Sequence, residues 1–276
     1  EGNAKLAGTA SVAEVASFSL SGWLVQLLKA PGAVAIDAAS FVVSAYFVWR
    51  IKEPEAEIVR DPESEHFWRE AKEGARVVAS NGVLRGLAVA EAIQAMGEKV
   101  LTTVYLLYLV GELGFSAGVL GMIFAVGGVT SLGGAWIANR GTLFLGRVGA
   151  TIIAASFMRT TGAVFMALPS DSGWLGVLLL VLAQFVTDPF WTLHEIHDVS
   201  LRQAITPERV QGRMFANFRL LNFGFAVLGT VLGGVLGSVI GFRETLFVAV
   251  GLMYLSSIAV FLSPVRGVKR PAEGAA

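Results

Sequence analysis

Apolar runs of about membrane-spanning length follow one another along the chain, and the polar residues gather in the segments between them. A helix needs about 20 mostly apolar residues to cross a bilayer. On that basis about eight spans are predicted: Ala4–Leu28, Ala33–Ile51, Val83–Val110, Ser116–Ala138, Leu143–Leu168, Gly173–Val199, Val210–Ile240 and Arg243–Leu262. The turns KAPG, GELGFS, LPSDSGW and GFRE are short, whereas the break from Lys52 to Asn81 is long and polar. Inside it, PESEHFWREAKEGARVV spaces Phe67, Trp68, Ala71, Ala75 and Val78 at three- and four-residue steps, which predicts an amphipathic helix. Such a helix either lies along the membrane surface or serves as a solvated linker. The tail, SPVRGVKRPAEGAA, is predicted to be disordered.

Composition agrees with an all-α integral membrane protein. Of 276 residues, 54% are hydrophobic and 15% charged, against about 25% charged in soluble domains. Mean hydropathy is +0.66. Zero net charge gives no footprint for nucleic acid. The absence of cysteine removes disulfides, thiolate metal sites and cysteine nucleophiles. No signal peptide is read before the apolar sequence, and the chain reads as beginning within a helix. Lys and Arg set the orientation. One side receives Arg50, Lys52, Arg60, Arg69, Lys72, Arg76, Arg85, Arg140, Arg147, Arg202, Arg209, Arg213, Arg266, Lys269 and Arg270; the other receives Lys29 and Arg243. The long polar break and the C-terminus are therefore expected in the cytoplasm, and the protein in the inner (plasma) membrane as a multi-pass protein.

Polar residues within the apolar spans point to function, because a charge at membrane depth costs a few kcal/mol or more. Glu91, Gln94, Glu98, Thr102 and Tyr105 fall on one helical face, expected to look into a cavity. A carboxyl shielded from water can load a proton at physiological pH; the alternative is a structural pair, such as Glu98 with Lys99. Gln184, Asp188 and Glu195 share a face of the sixth span, and Pro189 removes a backbone donor there, which bends a helix. Of these, Glu91, Gln94, Glu98, Tyr105, Gln184 and Asp188 are the candidate proton or substrate path. Arg219, with Asn217 and Asn222 beside it, needs a carboxylate partner; Glu195 is the first choice and Glu91 the second, as a gate pair, a static pair or an arginine that snorkels. Arg159 has no partner legible in the sequence. His194, Glu195, His197 and Asp198 suggest a metal, but the histidines are three apart and lack a third ligand; near a helix end they are expected to be hydrated. No metal and no cofactor is therefore predicted. A membrane-embedded enzyme would need a nucleophile or metal constellation, and a channel a repeated charged ring; neither is found. Gly229, Gly233, Gly237 and Gly241 form a ridge for close helix approach, expected to meet Ser17 and Ser21 of the first span.

The opening NAKLAGTASVAEVASFSLSGWLVQLLKAPG weakly repeats as NFRLLNFGFAVLGTVLGGVLGSVIGFRE, aligning Asn3 with Asn217, Gly22 with Gly234 and Gly32 with Gly241. Parallel repeats of this kind occur in the halves of major facilitator carriers. The runs SLRQAITPERVQGRMFANFRLLNFG, LRGLAVAEAIQAMGEKVLTTVYLLYLV and LGMIFAVGGVTSLGGAWIANR resemble the C-terminal half of major facilitator superfamily exporters, in the branch with the enterobactin exporter and macrolide efflux proteins. The resemblance implies a division into residues 1–51 (last two helices of the N-terminal bundle), 52–82 (cytoplasmic linker), 83–264 (C-terminal six-helix bundle) and 265–276 (cytoplasmic tail), with four earlier helices missing. It implies a monomeric, proton-coupled antiporter exporting amphipathic siderophores or drugs by alternating access, inactive as this fragment alone. It also implies gate roles for Arg213 and Arg140, although in GGAWIANRGTLFLGR the spacing of Arg140 and Arg147 is stretched relative to the family's basic turn.

Overall fold

The computed structural model describes residues 2–50, 67–139 and 146–269, excluding the side chains of residues 2–19, 22, 67–71 and 139. Among the described residues all regular structure is helical, with no strand. The helices are α1 (Gly2–Trp49), α2 (Phe67–Ser80), α3 (Gly82–Leu106), α4 (Ala117–Asn139), α5 (Val148–Ala167), α6 (Trp174–Ala204), α7 (Glu208–Ile240) and α8 (Phe242–Leu262). A π-helical turn, Leu107–Glu112, extends α3, and a 3-10 turn, Pro264–Gly267, follows α8. Among the described residues six helices are long and apolar enough to cross a membrane: Trp23–Trp49 of α1, Ala117–Ala138 of α4, and α5, α6, α7 and α8. The predicted span over Val83–Val110 is not among them, because Arg85, Glu91, Glu98 and Lys99 dilute it; the one over Ala4–Leu28 lies mostly outside the residues whose side chains are described.

The chain divides into two compact units, Glu1–Phe67 with Ser116–Ala125, and Trp68–Phe115 with Val126–Ala276. In the first, the two predicted spans form one helical run that breaks at Lys29 (φ 58°, ψ 169°) rather than through a four-residue KAPG turn. Pro31 explains the economy: its missing N–H is tolerated in the first turn of a helix, so the second arm starts at once. Gln26 Oε1 accepts from the backbone N–H of Gly118, at the start of α4, at 2.9 Å.

In the second unit α3 packs against α7 and α8, α5 against α6 and α8, and α7 against α8. The glycine ridge of α7 makes the first contact possible. Gly229 lies on the backbone of Met96, Gly233 on that of Val100, and Gly237 against Val104. The partner of the ridge is α3, which offers a matching four-residue register; the side chain of Ser17, expected to meet it, lies outside the described residues. Gly241 is not part of the seam; at φ 95° it makes the turn into α8. Hydroxyls tie the helices further, as expected where hydrophobic driving force between helices is weak. Ser256 Oγ donates to the Ala90 carbonyl at 2.7 Å, Ser257 Oγ lies 2.8 Å from Ser156 Oγ, and Thr161 Oγ1 lies 3.0 Å from Tyr254 Oη. Neighbouring serines on α8 thereby hold α3 and α5.

The predicted amphipathic helix forms as α2 and docks on this unit. Gly74 seats it on the backbone of Arg213, Val78 enters the core beside Met214, and Glu73 pairs with Arg209 (3.1 Å) and with Arg213. The start of the tail is ordered, contrary to expectation. Val265 and Val268 are buried, and the first N–H groups of α5, on Val148 and Gly149, donate to the Lys269 and Val268 carbonyls at 3.3 and 3.1 Å. Orphan donors at a helix N-terminus need partners, and the tail supplies them; residues 270–276 lie outside the described residues.

A side chain at Gly233 would begin 3.0 Å from the Val100 backbone, whereas nothing lies within 4 Å of a Cβ at Gly234. Gly233→Leu should therefore destabilise the protein by about 1–3 kcal/mol, the usual penalty of overpacking, while Gly234→Leu should leave the thermal unfolding midpoint in detergent unchanged. Equal midpoints for the two variants would refute the seam.

Candidate functional site

Helical periodicity places Glu91, Gln94, Glu98 and Thr102 on one stripe of α3, and the structure opens two adjoining cavities along it. The first, of about 300 Å³, takes in Gln94, Glu98, Thr102, Arg159 of α5 and Thr187, Asp188 and Trp191 of α6, with Leu101, Ala163, Met166 and Met253 as apolar wall. The second, of about 260 Å³, takes in Glu91, Gln94, Glu98, Lys99, Arg159, Trp191, Glu195 and Asn222 of α7. Gln94, Glu98, Arg159 and Trp191 line both. Five of the predicted residues (Glu91, Gln94, Glu98, Asp188 and Glu195) therefore meet in one cleft.

The residue that joins them is Arg159, only 5% exposed. Glu91, Glu98 and Glu195 all act on its charge. It forms no direct ion pair, and its Nε has no hydrogen-bond partner. The guanidinium thus shares a cavity with three acids from two helices rather than making one fixed contact. Glu91 is anchored separately, its Oε1 accepting from Asn222 Nδ2 at 2.6 Å. Asp188 lies against α4, where Gly127 leaves room for its carboxyl and for the Gln184 amide. Its Oδ2 is enclosed without a hydrogen-bond partner. Two turns on, Gly134 lies against the backbone of Pro189; α6 continues as a helix through that proline. Gln184 is buried, with its carbonyl accepting from Thr130 Oγ1 at 3.2 Å, and Tyr105 is buried beyond the cleft's lining. Neither reaches the cavities.

The expected pair of Glu195 with Arg219 is not formed, nor is a pair with Glu91. Arg219 is exposed and lies over the Phe223 ring, 5.9 Å from its centroid. Asn222, three residues later, occupies the α7 position facing Glu91 and leaves Arg219 on the flank. The arginine in Glu195's cavity, beside Lys99, is Arg159, whose role the sequence left unassigned. Of the other arginines, Arg213 is engaged with Glu73 of α2, and Arg140 lies outside the described residues.

The HEIHD segment is hydrated only in part, with Glu195 exposed and His197 half-buried. His194 and Asp198 are buried, 5% and 3% exposed. His194 Nδ1 lies 3.2 Å from the Ile152 carbonyl, and Asp198 pairs with Arg202 one turn on. The Arg202 guanidinium stacks 4.2 Å from the centroid of Phe218. His194, Asp198 and Arg202 form a buried structural lock between α5, α6 and α7, while Glu195 is exposed toward the cleft. Contrary to the expectation that no nucleophile motif is present, Gly114-Phe115-Ser116-Ala117-Gly118 has the spacing of G-x-S-x-G. That chemistry requires a strand-to-helix elbow, whereas Ser116 Oγ caps α4 by accepting from the Val119 N–H at 3.4 Å.

No family model matches the chain, and no curated protein matches it.

Arg159→Leu should leave the acids of the cleft without their buried counter-charge and cost about 3 kcal/mol or more, the order seen when a buried ionic partner is removed. Arg219→Leu, at an exposed position, should stay within about 0.5 kcal/mol of the parent. Thermal unfolding of the two purified variants distinguishes them, and a greater loss for Arg219→Leu would overturn this assignment.

Proposed function

We propose that the chain is part of a secondary active carrier that moves amphipathic small molecules across the membrane by alternating access, in exchange for protons. One observation carries the reading: acids from two helices, Glu91 and Glu98 of α3 with Asp188 and Glu195 of α6, share a cleft with Arg159. Carboxylates at membrane depth are costly, and structural support alone does not call for four of them around an open cavity. In this mechanism Glu98, exposed to both cavities, takes up and releases the proton. Arg159 exchanges places with that proton as counter-charge, and Trp191 with the apolar wall holds the body of the cargo.

The resemblance to major facilitator exporters extends the proposal. The chain then supplies eight spans: two closing the N-terminal bundle and six forming the C-terminal one, joined by the linker that contains α2. Siderophores or drugs are the cargo, the linker and tail face the cytoplasm of the inner membrane, and Arg140 and Arg213 belong to the cytoplasmic gate. Carriers of this architecture place the substrate site between the halves, near the midplane, so the wall opposite α3 and α6 comes from the other bundle.

The full-length carrier, reconstituted in acid-loaded vesicles, should release protons when cationic dyes, macrolides or catecholate chelators are added. Glu98→Gln should abolish that release while leaving membrane insertion intact, and the 276-residue chain alone should give none. Undiminished proton exchange by Glu98→Gln would refute the proposed coupling.

A further inference from the structure

Apart from the charged cleft, the second unit has an apolar groove of about 390 Å³ between α2, α3 and α7. Its floor is Ala88 and Ala92 of α3, too small to fill it; Val89, Leu220 and Phe225 form its walls. The groove exists because Gly74 brings α2 down on the α7 backbone, so that α2 overhangs α3. No acid lines it. From Arg85 to Ile93 it follows eight residues of α3, about 12 Å at 1.5 Å per residue.

One end is basic. Arg85 lines it, is exposed, and donates from Nη1 to the Ala79 carbonyl at 3.3 Å, which fixes the guanidinium at the lip. Lys72 and Arg76, one turn apart on α2, are exposed beside the lining residue Ala75. The one acid on that turn, Glu73, is turned to Arg209 and Arg213. The other end, at Phe225 and Ile93, is apolar and runs along α7, one of the helices long and apolar enough to cross the bilayer.

We infer that this groove binds an anionic phospholipid of the surrounding bilayer, with one acyl chain along Ala88, Ala92 and Phe225 and the phosphate at Arg85 and Arg76. The apolar walls account for the chain. The cations, unopposed by any lining acid, account for the choice of a negative headgroup, as basic clusters at a membrane surface do. The inference needs the protein to lie in a bilayer and does not depend on transport.

The test is titration of the purified chain in neutral detergent with phosphatidylglycerol and phosphatidylcholine of identical acyl chains, with bound lipid read by native mass spectrometry. The parent should prefer phosphatidylglycerol. The double variant Arg76→Gln, Arg85→Gln alters only exposed side chains, and circular dichroism confirms its helix content. It should lose about fivefold in phosphatidylglycerol affinity per cation, about 25-fold together, with phosphatidylcholine unaffected. Val89→Trp, filling the groove from an exposed position, should weaken both lipids. Equal binding of the two lipids by the parent overturns the proposal. So does unchanged phosphatidylglycerol affinity in either variant, or a groove closed to lipid by a second copy of the chain.

Discussion

The charge on α3 has to be kept away from hydrocarbon, and the second unit is arranged around that constraint. Glu91, Glu98 and Lys99 sit within a helix whose other residues are largely apolar, and each would cost a few kcal/mol facing lipid. The glycine seam lets α7 close directly on the α3 backbone, and Ser256 pins α8 to Ala90 on another side. With these sides covered, the polar stripe turns toward α5 and α6. There Arg159, buried on a helix with no other charge, supplies the counter-field. Close packing and charge placement are thus one design: without the glycines α3 would stand further from α7, and its acids would be wetted or exposed to lipid.

What was legible in the sequence follows from the range of each signal. Helices came from apolar runs and the α3 stripe from its period, both local, and both are present. Arg159 was conspicuous as a charge but mute about its partners, because its acids lie on α3 and α6, at Glu91, Glu98 and Glu195. The same limit explains Arg219. Its place within a span called for a carboxylate partner, yet a three-residue offset on a helix was enough for Asn222 to reach Glu91 and for Arg219 to remain outside. The glycine ridge announced close packing without saying against what; its match in α3, at Met96, Val100 and Val104, is a register of ordinary residues that carries no motif. HEIHD looked like a wet helix end because Arg202 and Phe218, which allow its burial, are an i+4 pair and a residue on another helix.

The balance of charge in the cleft bears on mechanism. Four acids and two cations line the joined cavities, Glu91, Glu98, Asp188 and Glu195 against Lys99 and Arg159. Were this cleft closed to water, it would not hold uncompensated charge; it would take up a proton or admit a counter-ion instead. Arg159 has no single partner, so its field is shared, and whichever acid it favours leaves the others to be neutralised from outside. A proton and a positively charged portion of a cargo molecule would then compete for the same carboxylates. Such competition is the least that exchange requires: occupancy by one partner lowers affinity for the other, by the same factor in both directions. A cleft in which each acid had its own fixed arginine would be more rigid and would have no such vacancy to offer.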